Sequence, residues 1–139
     1  MKTQLLISSI CFFLVVLIGL IFASLYLFRK RFMPYHAEAV GKPWIELDQN
    51  IRVLIIALMR VVGGGWLVAS LVIGLIFYFS FLNGESWAAW AILLAGLSVT
   101  IPTLIATLIV RTRTYGKPPV FAAILAILLL LTGFITSLC

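Results

Sequence analysis

The chain has 139 residues, of which 64% are hydrophobic and 10% are charged, and its mean hydropathy is +1.25. Soluble domains usually carry about 25% charged residues, and so short a chain cannot hide this much apolar surface in one aqueous core. The net charge of +6 comes without a basic domain large enough to bind a duplex, so we expect no nucleic-acid partner. The composition predicts an integral membrane protein.

Four apolar stretches are long enough to cross a hydrocarbon layer, which takes about 20 helical residues. They predict helices over residues 5–28, 51–82, 87–112 and 119–138, packed as a four-transmembrane-helix bundle in a single membrane domain. Helices are required because backbone groups in lipid need internal partners, and the alternation typical of barrel strands is not visible. The first stretch is too long for a cleaved signal peptide, so we expect a retained helix.

Lysine and arginine placement predicts the orientation. Nine of the ten basic residues lie between helices one and two, at the entry to helix two, or between helices three and four; Lys2 lies on the other side. Basic connections stay in the cytoplasm, so both termini are expected outside, in a plasma membrane of the bacterial cytoplasmic type. The residues expected to contact anionic lipid headgroups on the cytoplasmic side are Arg29, Lys30, Arg31, Arg111 and Arg113.

The first connection, residues 29–50, is the most informative polar segment. Pro34 suits a first helical turn, and Gly41 followed by Pro43 suits a helix end, which predicts a short interfacial helix over residues 34–40. Within it, His36 and Glu38 are the best candidates for chemistry, because a histidine titrates near neutral pH. The alternative is a polar surface loop held at the interface by aromatic side chains.

Metal and cofactor chemistry is not expected. His36 is the one histidine, and the two cysteines, Cys11 and Cys139, are predicted at the opposite side of the membrane from it. We expect both cysteines to be unpaired apolar residues. The four acidic residues all lie outside the predicted spans, which argues against a proton-coupled carrier because such proteins usually place a titratable group within the membrane.

The second predicted helix is too long for a simple span. Its 32 residues would measure about 48 Å at 1.5 Å per residue, whereas the hydrocarbon layer is about 30 Å thick. Gly63, Gly64 and Gly65 fall near the inner boundary and predict a kink there. Arg60 would then lie at headgroup level. The alternative is that Arg60 enters the bundle and binds an anion at a flexible break.

The third predicted helix contains Pro102, which removes a backbone hydrogen bond and predicts a bend. Thr100, Thr103 and Thr107 lie nearby, and their hydroxyls can bond carbonyls that the proline leaves free. The alternative is that these residues form a polar stripe lining a small cavity. Small residues four apart recur on all four helices, for example Gly19 and Ala23, and predict close helix packing.

Three functional hypotheses follow. The first is a non-enzymatic accessory or scaffold subunit, whose small-residue faces pack against other membrane proteins or a second copy. The second is a small-solute or lipid carrier or channel built on the kinked helices two and three, with Arg60, the glycine triplet and the threonines at its site. The third is a membrane enzyme that uses the loop containing His36.

Overall fold

The computed structural model describes residues 2–138, and within them the chain is all-helical. Five α-helices follow one another: α1 (Lys2–Phe28), α2 (Pro34–Val40), α3 (Gln49–Ile76), α4 (Ala88–Arg113) and α5 (Val120–Ser137). A 3-10 turn, Trp44–Glu46, precedes α3, and a π-helical turn, Phe77–Phe81, extends it. Cys11 is buried and free, whereas the prediction that Cys139 is unpaired concerns a residue outside those described.

Four of these helices are long and apolar enough to span a membrane: α1, α3 with its π-helical turn, α4 and α5. The chain is therefore a membrane protein with a helical bundle. Large apolar side chains such as Phe13, Val68 and Leu94 are exposed on the outside of the bundle. Lipid, not water, is the solvent in which such a surface is stable.

The four spans form a closed ring. α1 packs against α3 and α5, while α4 packs against α5 and, less extensively, against α3. The ring is closed near the chain ends, where the hydroxyls of Ser8 and Thr136 are hydrogen-bonded at 2.8 Å. The tight turn between α3 and α4, residues 83–86, lies at the same end, which we call the hairpin end; the core there is built around Phe12, Ile92 and Leu130, all fully buried.

At the opposite end, which we call the basic end, the two long connections meet. The backbone N–H of Lys117, between α4 and α5, donates a hydrogen bond of 3.1 Å to Oε2 of Glu38 on α2. Gly116 lies so close to α2 that a Cβ there would be 2.7 Å from the carbonyl oxygen of Tyr35. The connection between α4 and α5 thus holds α2 across the end of the bundle.

The glycine triplet lies within continuous α-helix, and the departure from α geometry occurs later, at the π-helical turn. A Cβ on Gly63 would lie 2.9 Å from the backbone nitrogen of Leu27, so this glycine permits close approach of α1 and α3. Nothing lies within 4 Å of a Cβ on Gly64 or Gly65. The helix is therefore not broken at the triplet, and a bend within the continuous helix stays a prediction.

Candidate functional site: a cleft between α3 and α4 at the basic end

Between α3 and α4, a cleft of about 550 Å³ lies at the basic end, beneath α2. Ligand sites in proteins commonly measure about 300–1,000 Å³, so the space suits a small organic molecule or part of a lipid. Four helices and the connection before α5 contribute to its walls, which consist of Tyr26, Tyr35, His36, Ala39, Val40, Ile55, Leu58, Met59, Val62, Pro102, Thr103, Ala106, Thr107, Val110 and Pro118.

The cleft opens on the flank of the bundle. Leu58 on α3 and Pro102 and Ala106 on α4 line it and are themselves exposed. On α4 the lining extends from Pro102 to Val110, which is about 12 Å along the helix. A molecule moving sideways in the lipid could therefore enter without passing through the bundle.

Polar groups gather at the end of the cleft beneath α2. The hydroxyl of Tyr26 on α1 is hydrogen-bonded to the hydroxyl of Tyr35 on α2. Burial, together with this hydrogen bond, raises the pKa of Tyr35, so its hydroxyl stays protonated at any physiological pH. With two protons and one bond between them, the pair keeps one O–H group for another acceptor.

His36 lies beside this pair. It is the third residue of α2, and its Nδ1 accepts a hydrogen bond of 3.3 Å from the backbone N–H of Met33, as a Glu or Gln side chain does in a capping box. The imidazole packs against the ring of Tyr35, with 4.3 Å between the ring centroids. Burial lowers the pKa of His36, which favours the neutral ring. Because Nδ1 accepts a hydrogen bond it carries no proton, so the single N–H of the neutral ring is at Nε2.

The three candidate threonines of α4 divide into two groups. Thr103 and Thr107 line the cleft, and their hydroxyls donate to carbonyls of their own helix, Val99 at 2.8 Å and Thr103 at 3.0 Å. Their oxygen lone pairs remain able to accept a hydrogen bond. Thr100 does not line the cleft; it is buried in the bundle and donates to the carbonyl of Gly96 at 2.9 Å.

Pro102 lies within continuous helix and is exposed at the cleft mouth. Because proline has no backbone N–H, it cannot donate a hydrogen bond to the carbonyl of Ser98, four residues earlier. The hydroxyl of Thr103 donates to Val99 instead. The threonine nearest to the proline thus bonds the neighbouring carbonyl rather than the one that the proline leaves free.

A small recess of about 40 Å³ continues from the cleft toward the centre of the bundle. It shares Tyr26, Tyr35 and Thr103 with the cleft, and it ends against Phe22 and Trp66. Those two rings are stacked with 5.7 Å between their centroids. The recess has room for the tip of a chain rather than for a second ligand.

Two candidate residues lie apart from the cleft. Arg60 is exposed and follows Met59 on α3, but the cleft is lined by Leu58, Met59 and Val62 on another face of that helix. Glu38 is exposed, and its carboxylate accepts from Lys117 N–H. His36 is bonded to Met33 instead, so the structure does not bring His36 and Glu38 together.

The residues expected at lipid headgroups all lie at the basic end, on the connection between α1 and α2 or on the last turn of α4. Their side chains are exposed, and we call them the cationic rim of this end; none of them lines the cleft. These residues are Arg29, Lys30, Arg31, Arg111 and Arg113.

The sequence did not indicate that the first connection has its own core. Phe32, Leu47 and Met59 are buried together. Arg52 supports this core by donating to the carbonyls of Leu47 at 2.8 Å and Ile45 at 2.9 Å. Each of the three buried residues adjoins a charged residue in the sequence, but they lie too far apart to share a periodicity that would have predicted the core.

Among residues 2–138, no three His, Cys, Asp or Glu side chains are grouped as metal ligands. Comparison of the whole chain with known proteins gives no match to a family model, a curated protein or a solved structure. A functional proposal therefore depends on the geometry of the cleft.

Proposed function

We propose that the chain is a lipid-binding membrane protein that holds one lipid molecule in the cleft between α3 and α4, as a lipid carrier does. The observation that carries the proposal is a mostly apolar cleft of about 550 Å³ that opens on the flank of the bundle and has the Tyr26–Tyr35 pair and His36 beneath α2. An amphipathic molecule matches this arrangement, with its chain along α3 and α4 and its polar end beneath α2.

The position of the cleft supports a lipid over a water-soluble solute. Its entrance residues, Leu58, Pro102 and Ala106, lie on spans that face lipid. A solute from water would have to pass α2, which is fixed by the bond between Glu38 and Lys117. A lipid reaches the same space by lateral diffusion.

Native mass spectrometry of the full chain in mild detergent tests this proposal, with a matched pair of variants. Ala106→Phe places a ring in the cleft, whereas Ile105→Phe places the same ring on the neighbouring exposed position outside it. We expect the wild type and Ile105→Phe to retain one lipid molecule from the membrane, and Ala106→Phe to lose it. Equal retention by both variants would contradict the proposal.

We further propose that the basic end faces the cytoplasm of a bacterial cell, with both termini outside, and that the rim of Arg29, Arg111 and their neighbours contacts anionic headgroups. The clustering of the exposed basic residues at one end supports this orientation. Single cysteines placed at Lys42 and Glu85 test it. A membrane-impermeant thiol reagent outside the cell should label position 85 and not position 42; the reverse pattern would overturn it.

An accessory subunit or homo-oligomer is the second candidate. Gly64 and Gly65 have open space where a side chain would lie, and Val61 and Val68 beside them are exposed. Glycines on an outer face permit close approach of another helix. If this face is an interface, Gly65→Leu disrupts a complex that mild detergent preserves; a monomeric wild type under those conditions would argue against it.

A further inference from the structure

The walls of the cleft carry hydrogen-bonding groups but no charged side chain. Among the lining residues there is no Asp, Glu, Lys or Arg, and burial favours the neutral form of His36. The polar groups are the hydroxyls of Tyr26, Tyr35, Thr103 and Thr107 and the imidazole of His36. A ligand in this cleft therefore meets hydrogen-bond partners without a counter-charge.

The donors at the polar end can be counted. Tyr26 and Tyr35 bond to each other and keep one O–H between them. His36 uses Nδ1 for the backbone of Met33 and keeps an N–H at Nε2. Two neutral donors side by side suit one oxygen, or two neighbouring oxygens, of a carbonyl or hydroxyl group. The lone pairs of Thr103 and Thr107 can accept a hydroxyl proton in return.

A phosphate or carboxylate would fit this arrangement poorly. Burying an ionised group without a paired charge costs far more than burying a neutral polar group that is hydrogen-bonded. The arginines of this end do not supply the charge, because Arg60 lies on another face of α3 and Arg111 is exposed outside the cleft. The rim therefore suits anionic lipids at the surface, while the cleft suits a different class of lipid.

We propose that the cleft selects an uncharged lipid whose carbonyl or hydroxyl oxygen is bound by the Tyr26–Tyr35 pair and His36. This inference rests on the proposed lipid-binding function and specifies the ligand class. The apolar chain of this lipid lies along α3 and α4, where Leu58, Val62 and Ala106 line the cleft.

The experiment compares three probes that share one oleoyl chain and differ in the polar end: monooleoylglycerol, oleate and oleoyl lysophosphatidylglycerol. Each is titrated into delipidated full-length protein in neutral detergent at pH 7.5, and binding is measured by native mass spectrometry. We expect monooleoylglycerol to bind with one-to-one stoichiometry and at least ten-fold more tightly than either charged probe.

Variants then assign the selectivity to the polar end. The double variant Tyr26→Phe/Tyr35→Phe removes both hydroxyls of the pair and should weaken monooleoylglycerol binding by about five-fold for one lost hydrogen bond. Tyr35→Phe alone still leaves the O–H of Tyr26 as a donor, so it should weaken binding less. Arg60→Gln and Arg111→Gln should leave monooleoylglycerol binding unchanged and weaken only surface association of lysophosphatidylglycerol.

The outcomes separate the two proposals. If a charged probe binds best, and Ala106→Phe abolishes that binding while Ile105→Phe does not, the cleft binds lipid but the inferred ligand class is wrong. If Ala106→Phe changes the binding of no probe, the cleft is not a lipid site and both proposals fail. If monooleoylglycerol binds in the cleft but Tyr26→Phe/Tyr35→Phe binds it as the wild type does, the assigned polar contacts are wrong and the inference fails.

Discussion

The Tyr26 hydroxyl on α1 is hydrogen-bonded to the Tyr35 hydroxyl on α2, and this contact ties the first span to the short helix that covers the cleft. The two tyrosines are nine positions apart, so the chain must reverse direction through residues 29–33 to bring them together. Phe32 and Met33 are buried within this reversal. The contact is therefore part of the packing of the first connection as well as of the candidate site.

Removing that bond should loosen α2. Tyr35→Phe keeps the ring that packs on His36 but loses the hydroxyl contact, and a buried hydrogen bond contributes about 0.5–1.5 kcal/mol. Hydrogen exchange of protein in lipid nanodiscs should show faster exchange over Pro34–Val40. Tyr78→Phe is the control, since Tyr78 is exposed at the other end of the bundle and should leave α2 unchanged. Unaltered exchange in Tyr35→Phe would argue against the docking role.

The glycine triplet offers a matched comparison. Gly63→Ala places a methyl group 2.9 Å from the backbone nitrogen of Leu27, so α1 and α3 must separate, and overpacking of this kind typically costs about 1–3 kcal/mol. Gly64→Ala meets open space, and alanine favours a helix over glycine by about 1 kcal/mol. Thermal unfolding in detergent should show a lower midpoint for Gly63→Ala and an equal or higher one for Gly64→Ala. The same decrease in both variants would refute the contact.

A second close contact joins Gly96 on α4 and Leu130 on α5, and a double-mutant cycle can measure the energetic coupling between these two positions. A Cβ on Gly96 would lie 2.5 Å from Cδ2 of Leu130, a fully buried side chain. Leu130→Ala alone should cost about 2–5 kcal/mol, as core truncations do. In the Gly96→Ala background the truncation also relieves the clash, so its cost should fall by about 1 kcal/mol or more. Additive unfolding free energies in the double-mutant cycle would show that these two residues do not compete for space.

The docking of α2 should depend on pH through His36. Burial lowers the pKa of this imidazole in the docked state, and an undocked imidazole has its ordinary pKa of about 6.5. Below about pH 6.5 the undocked state therefore binds more protons, so docking weakens as the pH falls through the interval between the two pKa values. Protonation of Nδ1 also removes the acceptor for Met33 N–H.

Hydrogen exchange over α2 at pH 7.5 and 5.5, corrected for intrinsic rates, measures this dependence. Protection of the wild-type helix should be lower at pH 5.5. His36→Gln keeps a side-chain acceptor but cannot titrate, so its protection should be equal at both pH values. A pH dependence that persists in His36→Gln would assign the effect to another group.

The apolar runs were enough to predict the four spanning helices, because crossing lipid fixes their length. Pro34 and Gly41 likewise marked the ends of α2, and Gly41 adopts the left-handed conformation, φ 71°, that favours glycine. Asp48 caps α3 by accepting a hydrogen bond of 2.8 Å from Asn50 N–H, as an aspartate at this position commonly does. These features depend on local chemistry.

The cleft depends on how helices are arranged and could not be predicted in this way. Thr103 was a candidate and does line the cleft, but Thr100, three residues earlier, is buried against other helices. Spacing alone cannot separate these two positions without the rotation of α4 in the bundle. The same holds for Gly63, which packs on α1, and Gly64, which does not.

The hydrogen bond between Ser8 and Thr136 joins residues 128 positions apart. Because α1 packs on α5 as well as on α3, one side of the first helix has no protein neighbour until the last helix has left the ribosome and entered the bilayer. Closure of the ring therefore waits for α5, and a truncated product lacking α5 would leave Phe12, which packs beside Gly133, facing lipid.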